Sequence, residues 1–270
     1  MSATAGVLLA DKPRGISSHA VVARARRALG ERRVGHAGTL DPFATGLLIL
    51  LVGQATRLQR LFMALPKTYD VLARVGATST TGDTEGEITE TGRRPAEPLQ
   101  LPHGRIRQHP PAYSAIKVAG ERAYKRARRG ELFELPEREV EVYAAEELWR
   151  AGDELALRFT CSAGTYVRSL VGALGDAYCL ELRRTRIGPF TVDDAWPAEG
   201  APSLLDVRAA CARFLPILVL DEEQTAALAH GRRVEVPTAH AAALLTDRAG
   251  RALALAEHHE ADGPMKLSRL

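Results

Sequence analysis

Apolar residues recur along this chain in two rhythms, and each change of rhythm falls at a residue that turns or stops the backbone. Gly6-Val7-Leu8-Leu9-Ala10 is a short apolar run closed by Asp11-Lys12-Pro13-Arg14-Gly15, which predicts a strand followed by a turn. Val21, Val22, Ala25 and Leu29 then fall on one side of a helix that Ser17 or Ser18 can cap and Gly30 can stop. From Gly46 to Val52 the chain is apolar throughout and of strand length, the signature of a buried strand. Leu58, Leu61, Phe62 and Leu65 return to helical spacing until Pro66 ends it. Alternation resumes from Lys67 to Gly76, with Tyr69, Val71, Ala73 and Val75 on one face.

Val140, Val142 and Ala144 alternate in the same way, as do Leu155, Leu157, Phe159 and Cys161, and Gly152-Asp153 predicts a hairpin turn between them. Val167, Leu170, Val171 and Leu174 give the apolar face of a helix, and Pro202–Leu215 reads as another. Beyond Leu220, Asp221 with Gln224 three residues later can open a short helix that Gly231 ends. Three short strand-like runs follow, of which Leu244–Thr246 and Ala252–Ala256 are the clearest. Strands and helices therefore alternate, the pattern of a mixed α/β protein.

Length and composition narrow this picture modestly. The 270 residues suit one large domain with a small one, or two of medium size, and 46% hydrophobic content supplies a sizeable core. No eighteen-residue apolar run occurs, and the N-terminus lacks a basic stretch leading into a long apolar one, so neither a membrane span nor a secretory signal is expected. Cys161, Cys179 and Cys211 lack metal-ligand spacing and fit reduced, buried thiols in a cytoplasmic protein.

Charge is more informative in its distribution than in its sum of +3. Eight Lys or Arg stand between His103 and Gly130 against one acid, Glu121, and the densest group is Arg122, Lys125, Arg126, Arg128 and Arg129. The preceding stretch is acidic, with Asp83, Glu85, Glu87 and Glu90, and no chemistry is assigned to it. Such asymmetry fits a positive surface facing a polyanion, and equally a solvated helix face.

The chemistry is expected between Gly35 and Leu48. Gly35, Gly38 and Gly46 surround one carboxylate, Asp41, and Pro42 keeps that residue out of helical geometry. A carboxylate on a rigid loop beside a buried strand suits a nucleophile or general base, and also suits an Asp that hydrogen-bonds a turn. Arg168 lies near the start of its helix, where a cation opposes the macrodipole, so an anionic partner is expected for it.

Four separated stretches, in order, resemble the tRNA pseudouridine synthase B (TruB) family. They are G-H-A-G-T-L-D-P-F-A-T-G-L-L from Gly35, K-T-Y from Lys67, C-S-A-G-T-Y-V-R from Cys161 and L-R-R-T-R-I-G-P-F from Leu182. Lys12-Pro13-Arg14-Gly15 and Pro111-Ala112-Tyr113-Ser114-Ala115-Ile116-Lys117 are similar to further family elements. The likeness implies a mixed α/β (α+β) catalytic domain over residues 1–218, built on a largely antiparallel sheet. It also implies a β-rich, PUA-like RNA-binding module over residues 219–270 and an RNA-gripping loop at about 105–135.

The implied reaction is isomerisation of uridine 55 in the tRNA T-loop, with no cofactor and no metal. On this likeness Asp41 is the nucleophile or base and Arg168 its partner. Tyr69 stacks on the base and is a candidate for proton transfer, Leu182 forms the apolar floor, and His36 belongs to the base-flipping motif. Lys12, Lys117, Arg122, Lys125, Arg126, Arg128 and Arg129 would contact the RNA. The implied partner is the T-arm of tRNA, for a cytoplasmic monomer with no membrane and no obligatory protein partner. The chain is shorter than the family pattern at 94–111 and between Gly175 and Leu182, which loosens the register of Leu182.

Two other classes stand beside this one. A non-catalytic RNA-binding or RNA-folding protein needs the basic surface but not Asp41 and Arg168 together. A nucleoside or glycoside hydrolase needs a second carboxylate to activate water, and the matched motifs hold none.

Overall fold

A computed structural model gives the fold, and the structure describes residues 5–114, 116–118, 120–131, 133–232, 234, 240–258 and 265–270. Its first half contains strands β1 (Gly6–Lys12), β2 (Val34–His36), β3 (Thr45–Val52), β4 (Lys67–Val75), β5 (Ala77–Ser79), β6 (Ile88–Glu90), β7 (Gly104–Gln108), β8 (Lys117–Val118) and β9 (Glu121–Arg122). The second half adds β10 (Arg138–Ala151), β11 (Glu154–Cys161), β12 (Ala177–Ile187), β13 (Phe190–Thr191), β14 (Ile217–Val219), β15 (Ala242–Thr246), β16 (Ala252–His258) and β17 (Met265–Arg269). The α-helices are α1 (Ser18–Leu29), α2 (Gln59–Ala64), α3 (Ala123–Arg128), α4 (Val167–Gly172), α5 (Val207–Cys211) and α6 (Glu222–Ala229). Among the described residues, no helix is long and apolar enough to cross a membrane.

One nine-stranded sheet organises the larger part, in the order β1-β3-β12-β4-β11-β10-β7, with β2 on β3 and β13 on β12. Its pairings are antiparallel except where β12 meets β3, at Arg183↔Thr45 and Arg184↔Gly46. The unbroken apolar run of β3 has a simple cause. Leu48, Leu50 and Val52 pack with Val21, Val22 and Ala25 of α1, while Leu47, Ile49 and Leu51 pack with Phe62 and Phe190 on the other side. Both faces are covered, so no position from Gly46 to Val52 is left for a polar residue, and each buried Leu or Ile contributes roughly 1.5–3 kcal/mol.

On β4 burial alternates strictly, and Tyr69, Val71, Ala73 and Val75 join a core with Leu155, Leu157, Phe159 and α4. Its other face carries Asp70, which pairs with Arg158 of β11 at 2.7 Å. The two strands that meet at the parallel junction approach closely. A Cβ on Gly46 would lie 2.3 Å from the Arg184 carbonyl, and its φ of +102° also demands glycine.

Two sequence-based boundaries shift. Strand β1 continues through Asp11 and Lys12 into the expected turn, because its register with β3 persists to Lys12↔Gly46. The helix expected over 202–215 shrinks to α5: Leu205 instead bridges Val7 beside β1, and Asp206 caps the helix through a hydrogen bond from the Ala209 amide at 2.9 Å. In the basic segment β9 precedes α3, which is only six residues long.

The C-terminal sheet runs β14-β15-β16-β17, so it begins at Ile217, and the 218/219 boundary falls inside β14. Leu244 and Leu255 of this sheet pack into the same core as Ile49 and Phe62. Arg57 donates to the Arg269 carbonyl at 2.9 Å, and Arg60 of α2 pairs with Glu257.

Candidate active site

Asp41 stands on the loop from β2 to β3, and the main chain of that loop is tied down on several sides. Ser18 Oγ accepts from the Leu40 amide at 2.9 Å and donates to the Leu40 carbonyl at 3.1 Å. The Gly15 amide donates to the Pro42 carbonyl at 2.8 Å, and Lys12 Nζ donates to the same carbonyl at 3.2 Å. Arg184 donates to the carbonyls of Gly38 at 3.1 Å and Thr39 at 3.5 Å.

The expected partner of Arg168 is Asp41: Nη2 lies 2.9 Å from its Oδ2. Arg168 is the second residue of α4, and its side chain is 4% exposed against 31% for Asp41. The arginine is therefore inside and the carboxylate faces a cavity of about 470 Å³, within the rough 300–1,000 Å³ span of small-ligand pockets. Tyr69, Leu182, Lys67, Arg184, Tyr166 and Met63 line the same cavity. The register of Leu182, opposite Val71 on β4, puts it there despite the short connection before β12.

A second carboxylate shares the guanidinium. Asp83 is buried, with Oδ2 3.3 Å from Arg168 Nη1, while its Oδ1 accepts from Thr81 Oγ1 at 2.6 Å and from the Glu85 amide at 3.0 Å. Arg168 also donates to the carbonyls of Thr81 at 2.6 Å and Tyr113 at 2.9 Å. The acidic turn to which no chemistry was assigned thus contributes a residue to the site. The signal for it, a lone Asp in Thr81-Gly82-Asp83-Thr84-Glu85-Gly86, looks like an ordinary turn.

Electrostatics modify the expected role of Arg168. Burial pushes the Asp41 carboxyl up, Arg168 pulls it back, and Asp83 pushes it up again, with a net rise. The arginine orients Asp41 without making it a weaker base than an ordinary carboxylate, because burial, helped by the like charge of Asp83, outweighs its pull. Burial likewise raises the Tyr69 phenol, against a lowering by Arg184. A phenol so raised stays protonated near neutrality, which suits Tyr69 to stacking and works against a role as proton acceptor.

The remaining predicted residues divide. Lys12 is fully buried, and its Nζ donates to the carbonyls of Pro13, Ile16 and Pro42, so its expected phosphate contact gives way to an internal brace. Burial brings its pKa down to about 8. Burial also lowers Lys67, which sequence reading passed over, to about 8, and its Nζ donates to the Met63 and Leu65 carbonyls. His36 sits on β2 with its ring 5.2 Å from that of His19, edge to face, outside the residues lining the cavity.

Arg126 pairs with Glu131, and Arg129 with both Glu121 and Glu131. The side chains of Lys117, Arg122, Lys125 and Arg128 lie outside the described residues. Of the two arginines that follow Leu182, Arg184 is 1% exposed, whereas Arg183 is partly exposed and pairs with Asp11 at 2.7 Å. Among the described residues, no group of three His, Cys, Asp or Glu is arranged to hold a metal ion.

A largely apolar cavity lined by one oriented carboxylate can take an uncharged planar ring and act on the atom bonded to it. The fold as a whole is similar to a solved Cbf5-Nop10-Gar1 complex, with TM-score 0.70 and 25% identity over 98% of this chain and 83% of that one. The family described as TruB family pseudouridylate synthase (N terminal domain) matches residues 26–167. Fold and site thus define a pseudouridine synthase, an isomerase.

More particularly, the chain belongs to the TruB family. A tRNA pseudouridine synthase B of Thermobifida fusca (strain YX) is 42% identical, with 94% of each chain covered. Another, of Aromatoleum aromaticum, is 41% identical over 93% of this chain and 88% of its own length.

Proposed function

We propose that this chain converts uridine 55 of the tRNA T-loop to pseudouridine in the cytoplasm, acting without an obligatory protein partner. The observation that carries the reading is the Asp41–Arg168 pair at 2.9 Å, opening onto a cavity walled by Tyr69 and Leu182. The names of the relatives support tRNA as the substrate. The target base leaves its stack at a cost of a few kcal/mol and enters the cavity, its ring lying between Tyr69 and Leu182. His36 acts in the base-flipping motif that leads to the loop.

Asp41 then either attacks C1′ or removes a sugar proton to give a glycal, and the N1–C1′ bond breaks. The retained uracil rotates and C5 bonds to C1′, displacing the Asp41 carboxylate in the first route or with Asp41 returning the sugar proton in the second; the C5 proton then leaves and N1 gains one. Arg168 keeps the Asp41 carboxylate aimed throughout. The basic segment of Lys117, Arg122, Lys125, Arg126, Arg128 and Arg129 grips phosphates, and the small C-terminal sheet provides further RNA contact.

Hydrolysis is the poorer reading. Asp83 is a second carboxylate, but it is buried behind Arg168 and both its oxygens are engaged, so it cannot activate water. The test is tritium release from a T-arm hairpin labelled at uridine C5, with product mapping, in EDTA and without nucleotide. Stoichiometric pseudouridine at position 55 is expected. Free uracil in solution would mean hydrolysis, and binding without any turnover would leave only an RNA-binding protein.

A further inference from the structure

Arg184 is the largest fully buried side chain in the described protein, and its guanidinium meets main-chain carbonyls and the Tyr69 phenol rather than a carboxylate. A buried cation without a counter-charge is costly to hold, so its placement calls for a reason. Its position supplies one. On β12, Arg184 pairs through its backbone with Gly46 on one side and with Tyr69 on the other. Gly46 is the second residue of β3, just past the loop that carries Asp41, and Tyr69 is the ring that faces the cavity.

The side chain repeats this bridge. Nε donates to the Leu47 carbonyl at 2.7 Å, Nη2 to that of Gly38 at 3.1 Å and Nη1 to that of Thr39 at 3.5 Å. Its guanidinium carbon lies 6.0 Å from the Tyr69 ring centroid, and Arg184 itself lines the cavity. A register shift on β12 between Arg184 and Arg186 follows directly, the kind of bulge that re-aims side chains beside active sites. Lysine could not reproduce the arrangement, because only the planar fork spans three carbonyls set at different angles.

We propose that Arg184 is a positioning residue of the reaction, one that fixes the separation between the Asp41 loop and the Tyr69 ring. The role rests on the function proposed above. It touches neither reacting atom, so its removal acts on the chemical step and not on the grip on RNA. A shift of about 1 Å between carboxylate and ring is enough to slow a reaction about 100-fold.

The experiment compares full-length wild type, R184K, R184Q, Y69F and R184K/Y69F by single-turnover rate, hairpin affinity and unfolding midpoint. Expected is a folded R184K whose rate falls about 100-fold with hairpin affinity unchanged. The loss in R184K/Y69F should be smaller than the product of the two single losses, since Y69F removes the hydroxyl through which Arg184 holds the ring.

A wild-type rate in R184K or R184Q overturns the proposal. So does a rate loss matched by an equal loss of affinity, which would make Arg184 an RNA contact. Fully multiplicative losses with Y69F, or failure of both single variants to fold, make it a structural residue only and overturn it too. A wild type inactive on the hairpin is a separate result, because it removes the reaction itself and this role with it.

Discussion

Arg168 and Arg129 each bridge two carboxylates, and they do so in opposite surroundings. Arg168 is 4% exposed and holds Asp41 and Asp83 at 2.9 and 3.3 Å, and also donates to two carbonyls. Arg129 is 50% exposed and holds Glu121 and Glu131 at 2.7 Å each. Shorter contacts do not make the second pair the stronger constraint. Water competes for every exposed partner there, and salt screens the attraction, whereas the buried triad has neither relief. The same three groups therefore serve as a fixed aiming device in one place and as an exchangeable, self-neutralising clasp in the other. A phosphate can replace a surface glutamate at little cost. Asp83, only 4% exposed, is out of reach of any such exchange.

The largest effect should come from the buried triad. Asp41→Asn keeps shape but removes the anionic oxygen, and the single-turnover rate should fall by about 10⁴-fold or more with hairpin affinity close to wild type. Substantial turnover, once deamidation back to Asp is excluded by mass spectrometry, would put the chemistry on another residue. Arg168→Met comes next. It leaves two carboxylates facing each other in a buried site, so it should cripple the rate and also destabilise the fold by about 3–5 kcal/mol. Denaturant melts check the second part. Combined with Asp41→Asn, its kinetic loss should not add, because both act through one carboxylate.

Asp83→Asn sharpens the comparison by removing only the shared partner. Turnover needs ionised Asp41, so the rate of the wild type should fall as pH drops through the raised Asp41 value, at a midpoint above the ordinary 3.8. Without Asp83 a like charge is gone, and the acid limb should move to lower pH. The rate on the plateau should drop about tenfold, some 1.4 kcal/mol, from looser aim of Arg168. The sign for stability is opposite to the usual carboxylate case. A folded-state value raised above the unfolded one means Asp41 costs stability above it, and the cost is relieved as pH falls through it. An acid limb unmoved in Asp83→Asn would show that the two carboxylates do not communicate through Arg168.

The buried site was partly legible in sequence for definite reasons. Asp41 stood out because glycines and Pro42 leave few conformations open, and an arginine near a helix start needs an anion, which Arg168 has. Asp83 did not stand out, since it reaches the site through a lone bridge to Cys179 that no local pattern reveals. Arg184 was hidden for a different reason. In Leu182-Arg183-Arg184 the outward Arg183 and inward Arg184 look alike, and only the register against Tyr69 and Gly46 separates them. The run of β3 was legible because burial on both faces writes itself as an unbroken apolar segment. The helix over 202–215 failed because Leu204 and Leu205 are apolar for a strand edge, packing near Gly6 and bridging Val7, and not for a helical face.

The smallest effect belongs to the exposed clasp, and there the sign is the informative part. If all five of Arg122, Lys125, Arg126, Arg128 and Arg129 sat on phosphates, their joint alanine variant would lose about 3.5–4.5 units of the log affinity against log salt slope, at roughly 0.7–0.9 per contact. Yet Arg126 and Arg129 are already engaged by Glu131 and Glu121, and those two arginines hold the Glu131 carboxyl below its usual range. On the proposed grip, both glutamates would compete with RNA for the same guanidinium groups. Glu121→Gln with Glu131→Gln should therefore tighten hairpin binding at low salt and steepen the slope by about 1.4–1.8 units, two contacts' worth. The single-turnover rate at saturating enzyme should not change, because the triad around Arg168 is untouched. A salt titration of hairpin binding from the double glutamine variant decides the matter. A slope identical to wild type would mean that Arg126 and Arg129 hold the segment together and never meet a phosphate.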